Sequence, residues 1–145
     1  MLSGPALCNR LPHRGSMCLL DAVVAWDRKR IHCTASSHHL PTHPLRNASG
    51  LPAMSGVEYA AQAMALHASL LFNDIPSPSG YLAGLRNLAF AVDWLHDIKA
   101  DLDVFATLRG GDGHGAIYDF RLEADLSLLL SGRATVMYSS LWSAR

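Results

Sequence analysis

Residues 56–68 read GVEYAAQAMALHA, a small and apolar run with one carboxylate, Glu58, near its start. Extended to residues 54–72, the run holds five alanines and no proline. Its residues are strong helix formers, which predicts a helix of roughly 28 Å. On a 3.6-residue period Glu58, Ala61, Gln62, Ala65 and Ser69 share a small, polar face. Val57, Ala60, Met64, Ala68 and Leu71 line a more apolar one. A helix apolar nearly all round is a buried helix. The helix dipole favours a negative charge near its start, but a carboxylate in such a run is costly unless it has a partner or a function. Glu58, Gln62 and His67 together argue against a membrane span.

Outward from this helix the texture changes. Upstream, residues 17–37 mix β-branched and apolar residues around a polar Asp27-Arg28-Lys29 centre, which predicts two strands joined by a tight turn. Downstream, residues 81–92, 101–110, 115–124 and 126–138 read as four strands, with the reversal GGDGHG at 110–115 between the second and third. Strand, strand, long helix and four strands make an α+β pattern, with one antiparallel sheet and one major helix.

The 145 residues fit one domain, 1–145, and half of them are hydrophobic, so the chain can build a core. Lys+Arg and Asp+Glu number 12 each, which leaves no excess of basic charge for phosphates and makes nucleic acid an unexpected partner. Only 17% of residues are charged, a composition suited to hiding surface in an oligomer. The three cysteines, Cys8, Cys18 and Cys33, form no CxxC pair, so reduced thiols in a cytoplasmic protein are expected. The start, MLSGPALCNR, reads without the long apolar stretch of a secretory signal.

The stretch just before the helix, HHLPTHPLRNASGLPA, carries His38, His39 and His43, and Pro41 and Pro44 keep it out of a helix. It is a loop that delivers imidazoles beside a helix that holds a carboxylate. An imidazole and a partly buried carboxylate make a natural general acid–base pair. Metal binding is not expected: His39 and His43 are four apart, but the prolines deny them a shared helix face and no Cys or Asp completes a set. His67, on the apolar side, reads as a structural histidine, and His32, His96 and His114 have no local constellation.

LPHRGSMCLLDAVVAWD (11–27), HLPTHP (39–44) and LPAMSGVEYAAQAMA (51–65) resemble the hot-dog-fold 3-hydroxyacyl-acyl-carrier-protein dehydratases. The likeness is greatest to the short dehydratase-like proteins of aryl-polyene and polyketide clusters. It extends through YLAGLRNLAF and SGRATVMY, and so over most of the chain. Pro52, Glu58 and Gln62 fall on the family's Pro, Glu/Asp and Gln. Two departures stand out: Ala53 replaces the usual glycine after the helix proline, and about five extra residues within LRNASG separate the histidine motif from the helix. His13 and Arg14 match the family's N-terminal motif and read as structural.

The resemblance implies a sheet wrapped around the central helix, and the dehydration of 3-hydroxyacyl thioesters to trans-2-enoyl thioesters. His39 would take the α-proton, with His38 beside it as the rival base or a substrate contact. A backbone N–H near Ala53, after Pro52, would polarise the thioester carbonyl. Glu58 would protonate the leaving hydroxyl, and Gln62 would orient Glu58 or the departing water. Ala61 and Ala65 would leave room for an acyl tunnel or pack closely on the sheet. No cofactor is implied beyond the phosphopantetheine arm of the acyl carrier protein. The resemblance also implies a homodimer, or a heterodimer with another hot-dog subunit. Two other activities fit the fold: an acyl-thioester hydrolase in which Glu58 activates water, and a non-catalytic subunit that completes a partner's site.

Overall fold

The computed structural model describes residues 1–11, 17–73 and 80–138, so the His13/Arg14 motif lies outside the described residues. The elements in chain order are β1 (Leu2–Ser3), α1 (Gly4–Cys8), β2 (Ala22–Trp26), β3 (Arg30–Ala35), a 3-10 turn (Ser37–His39), a second 3-10 turn (Ala53–Ser55), α2 (Gly56–Phe72), β4 (Gly80–Phe90), β5 (Leu102–Gly111), β6 (Gly115–Ala124) and β7 (Ser127–Tyr138). The strands form one sheet in the order β1-β2-β3-β5-β6-β7-β4, and every neighbouring pair is antiparallel. This is the hot-dog fold: an antiparallel sheet wrapped around one long helix.

Local chemistry explains the turns. Asp27 closes the β2–β3 hairpin, its Oδ1 accepting the N–H groups of Lys29 at 2.8 Å and Arg30 at 2.9 Å. Asp112 does the same between β5 and β6 for His114 and Gly115. The β6–β7 turn places Asp125 and Leu126 at positive φ, as a two-residue hairpin requires. Helix α2 ends at Asn73, which takes the left-handed conformation that stops a helix.

Strand alternation builds the core. On β6, Ala116, Tyr118, Phe120, Leu122 and Ala124 are buried, and the residues between them are not. Helix α2 packs on β3, β5 and β6, where Tyr59, Ala60, Ala63 and Leu66 have no exposed surface. The helix start lies close to the sheet at Gly56: a Cβ there would stand 2.7 Å from Leu130 and 3.2 Å from Leu122.

The structure departs from expectation in three places. The sheet has seven strands and not six, because the two-residue β1 adds to β2, and two residues are too short to show alternation in sequence. A short helix, α1, starts at Gly4 with Pro5 in its first turn, and anchors Leu7 and Leu11, both fully buried. Cys8 and Cys18 are joined in a disulfide, so the expectation of three reduced thiols holds for the buried Cys33 alone. The reason is tertiary: α1 folds back so that the two Cα atoms lie 5.8 Å apart, which a spacing of ten residues does not reveal. Among the described residues no helix is long and apolar enough to cross a membrane.

Candidate active site

Helix α2 and the histidine loop meet at Tyr59, whose hydroxyl bonds to His43 and Ser37. Glu58 is the acidic residue of the helix's first turn and is partly buried. Ser55, at the helix N-cap, makes no side-chain capping bond, so no capping box engages Glu58. Among the described residues Glu58 makes no hydrogen bond or ion pair. Glu58, Ala61 and Ala65 form a partly exposed stripe on a helix otherwise largely buried. Ala65 nonetheless packs against the hydrophobic core.

Gln62 shares the sequence face of Glu58 but points elsewhere. It is 2% exposed; its Oε1 accepts the Leu19 N–H at 2.9 Å and its Nε2 donates to the Met17 carbonyl. Both ends of the carboxamide thus clamp the 17–19 segment to the helix. Ala53 follows Pro52, whose backbone bridges to Trp94. That bridge commits the Ala53 N–H to the Asp93 carbonyl at 2.9 Å, so Ala53 itself has no free donor. The Ser55 N–H bonds to Pro52, which leaves Met54 as the residue of this turn whose N–H has no bond to the described backbone.

The three loop histidines differ sharply. An extended segment would aim His38 and His39 in opposite directions, but residues 37–39 form a 3-10 turn and both rings reach the same carbonyl. His38 Nε2 donates to Ile98 at 2.9 Å and Ala100 at 3.1 Å, and His39 Nε2 donates to Ile98 at 2.7 Å. Carbonyls only accept, so both rings carry a proton on Nε2, and in the neutral ring Nδ1 holds the lone pair. In His38 that Nδ1 is buried and unpartnered. In His39 the ring is exposed and Nδ1 has no partner among the described residues. The ring centroids lie 3.8 Å apart. Burial holds the His38 pKa below its ordinary value, with the neighbouring His39 adding to the shift against the two carbonyls.

His43 is 4% exposed and both nitrogens are engaged. The Leu45 N–H donates to Nδ1 at 3.0 Å, so Nε2 carries the proton and donates to the Tyr59 hydroxyl, also at 3.0 Å. Its pKa is lowered by burial first, then by the Arg46 and His38 charges. Of the three, His39 alone presents an accessible imidazole lone pair.

Other residues bear on the site without a signal in the sequence reading. Tyr59 is fully buried and its pKa is pushed up to about 12 by burial; a buried tyrosine hydroxyl needs a partner, and that was the available clue. His96 Nδ1 accepts the Leu51 N–H at 3.0 Å. Its ring fills the space where a side chain at Gly50, with φ of 128°, would sit. His67 is structural as expected: Nε2 donates to the Asp27 carbonyl at 2.7 Å and Nδ1 accepts from Tyr118 at 2.7 Å. His32 pairs with Asp103 at 2.8 Å on the far face of the sheet. Among the described residues no group of three or more His, Cys, Asp or Glu could hold a metal ion.

A model of the ApeP-like family, described as ApeP dehydratase, matches residues 5–143. No curated protein matches the chain. Among solved structures, the dehydratase heterocomplex ApeI:P from Xenorhabdus doucetiae has a TM-score of 0.81 at 22% identity, covering 92% of this chain and 91% of that one. A thioesterase from Haemophilus influenzae gives 0.59 at 13% identity, covering 84% and 79%. A mutant thioesterase from Pseudomonas aeruginosa gives 0.54 at 13%, covering 81% and 79%.

Proposed function

This chain belongs to the ApeP-like family of dehydratases, and we propose that it removes water from 3-hydroxyacyl thioesters carried on an acyl carrier protein. The products are trans-2-enoyl thioesters of fatty acid, aryl-polyene or polyketide biosynthesis. The observation that carries this reading is Glu58: a partly buried carboxylate with no cap, ion pair or hydrogen bond among the described residues, on the open stripe of α2.

The acyl chain lies along Ala61 and Ala65. His39 Nδ1 takes the α-proton while the Ile98 carbonyl holds the ring through Nε2–H. Charge on the developing enolate is met by the Met54 N–H, adjacent to Pro52 and Ala53 at the start of the helix. Glu58 gives its proton to the departing hydroxyl, and the C–O bond breaks to release water and leave the enoyl thioester. The proton on His39 then returns to Glu58 through solvent. Gln62 acts by anchoring the 17–19 segment, and His38, which has no exposed surface and so is not placed as a substrate contact, supports the histidine turn through the Ile98 and Ala100 carbonyls. The phosphopantetheine arm arrives with the carrier, and no other cofactor takes part.

The site is completed by dimerisation. Strand β4 lies at one edge of the sheet, eleven residues long, with Tyr81 61% and Phe90 45% exposed. A long edge of this kind calls for cover. Pairing through it brings the histidine loop of one subunit toward the helix of the other. The ApeI:P neighbour is a dehydratase heterocomplex, which favours a second hot-dog subunit as the partner. A monomeric mass at micromolar concentration with full activity contradicts this.

The deciding experiment is incubation of the pure protein with 3-hydroxyacyl carrier protein, read by mass spectrometry. Loss of one water supports the dehydratase. Release of free carrier thiol replaces it with a hydrolase. No change alone, with turnover restored by a second hot-dog subunit, assigns the chain a partner's role.

A further inference from the structure

Four hydrogen bonds run in series from the histidine loop, through α2, to the segment before β2. The Leu45 N–H donates to His43 Nδ1 at 3.0 Å, and His43 Nε2–H donates to Tyr59 Oη at 3.0 Å. Ser37 Oγ lies 2.7 Å from Tyr59 Oη and 2.8 Å from the Leu19 carbonyl. A carbonyl can only accept, so the Ser37 proton goes to Leu19, and Tyr59 must donate to Ser37. Each hydroxyl then gives one hydrogen bond and receives one, and the direction of the series is fixed along its length. The Leu19 amide is held in turn by Gln62 Oε1 at 2.9 Å.

Ser37 opens the 3-10 turn that carries His38 and His39. Tyr59 follows Glu58 directly on α2. We infer that the Tyr59 hydroxyl is a positioning residue: with His43 as its locked donor, it ties the turn that bears the imidazole base to α2 of the same chain, and so sets where that base is presented. The inference rests on the dehydratase reading for its effect on rate, but not for its effect on the turn. His43 in this arrangement has no free lone pair and serves as a post for Tyr59. The turn has a second tether, the Ile98 carbonyl, which fixes the tautomers of His38 and His39 but does not reach α2.

The test uses the full chain with its partner subunit where one is required. Tyr59→Phe keeps the ring and removes the hydroxyl. The expected result is a folded protein whose kcat falls on the order of 10–100-fold with little change in KM, because a small misplacement of the base is amplified in rate. The His39 ring signals in nitrogen-15 NMR spectra should shift or double. Adding His43→Leu removes the imidazole N–H that Tyr59→Phe leaves unpaired. The imidazole N–H removed is set against the Leu45 N–H left without its acceptor, so stability should change little from Tyr59→Phe alone or rise, while kcat stays low in either case, which a purely structural role for Tyr59 would not give. Wild-type kcat and unmoved His39 signals in Tyr59→Phe overturn the inference, as does recovery of kcat together with stability in the double variant. If the wild-type protein does not dehydrate, the dehydratase reading fails and the His39 signals alone decide the tether: moved signals support it, unmoved signals refute it.

Discussion

Helix α2 meets the sheet through hydrocarbon and meets the histidine loop through hydrogen bonds. Toward β3, β5 and β6 it presents Ala60, Ala63 and Leu66, and the strands answer with Ile31, Val104 and Leu122, all fully buried. Toward the loop it presents Tyr59, and the loop answers with His43 and Ser37. Hydrophobic burial is strong and non-directional, so the first region determines whether the chain folds. Hydrogen bonds contribute little net stability but fix angles, so the second determines where the imidazoles point. Each region should therefore fail in its own way when cut.

Glu58→Gln should show the largest separation. The amide is nearly isosteric and Glu58 breaks no bond in leaving, so stability should hold, while turnover falls on the order of 10²–10⁴-fold. Urea unfolding together with a dehydration assay checks both halves. Near-normal turnover by the folded variant would leave Glu58 without a catalytic role. Leu122→Ala should do the reverse. It empties space beneath α2 and should cost about 2–5 kcal/mol in urea unfolding, with the remaining folded protein turning over at close to the wild-type rate.

A smaller effect should follow from pH. His38, His43 and His67 all have pKa values lowered by burial from the ordinary 6.5. In the unfolded chain these rings bind protons near pH 6.5, and in the folded protein they resist until the pH is lower still. The unfolded state therefore binds more protons in that window, and their contribution to stability, full above pH 6.5, is lost as pH falls through it. Urea midpoints should decline from pH 7.5 to pH 5.5, and the slope should lessen in a variant lacking His67. A flat profile over this range would show that the three rings are not held neutral.

Much of the hydrocarbon region was legible in the sequence, and the hydrogen-bonded region much less so. The alternation of Ala116, Tyr118, Phe120, Leu122 and Ala124 and the alanine-rich run of α2 are periodic, and periodicity survives in a one-dimensional string. The Asp27 and Asp112 turns were legible because the side chain bonds to its own neighbours. The loop histidines were legible as residues, but their orientations depend on a carbonyl about sixty residues away. Ile98 turns His38 and His39 the same way, and no local pattern announces it. Gln62 looked like a companion of Glu58 because both occupy one helical face, yet the 17–19 backbone claims it. The Cys8–Cys18 bond was hidden in the same sense, since only the return of α1 brings the two together.

If His39 acts on the substrate and His43 holds the scaffold, a crossed measurement on two variants separates the two roles. His39→Ala and His43→Ala are each assayed for dehydration rate and for urea midpoint. His39→Ala should lose on the order of 10²–10⁴-fold in turnover with a midpoint close to wild type, because its ring is exposed and only its Nε2 is bound. His43→Ala should lose stability, by roughly 1–3 kcal/mol for the unpaired partners it leaves, with a smaller loss of turnover. If His43→Ala is stable and inactive while His39→Ala turns over normally, the roles are exchanged and this assignment is wrong.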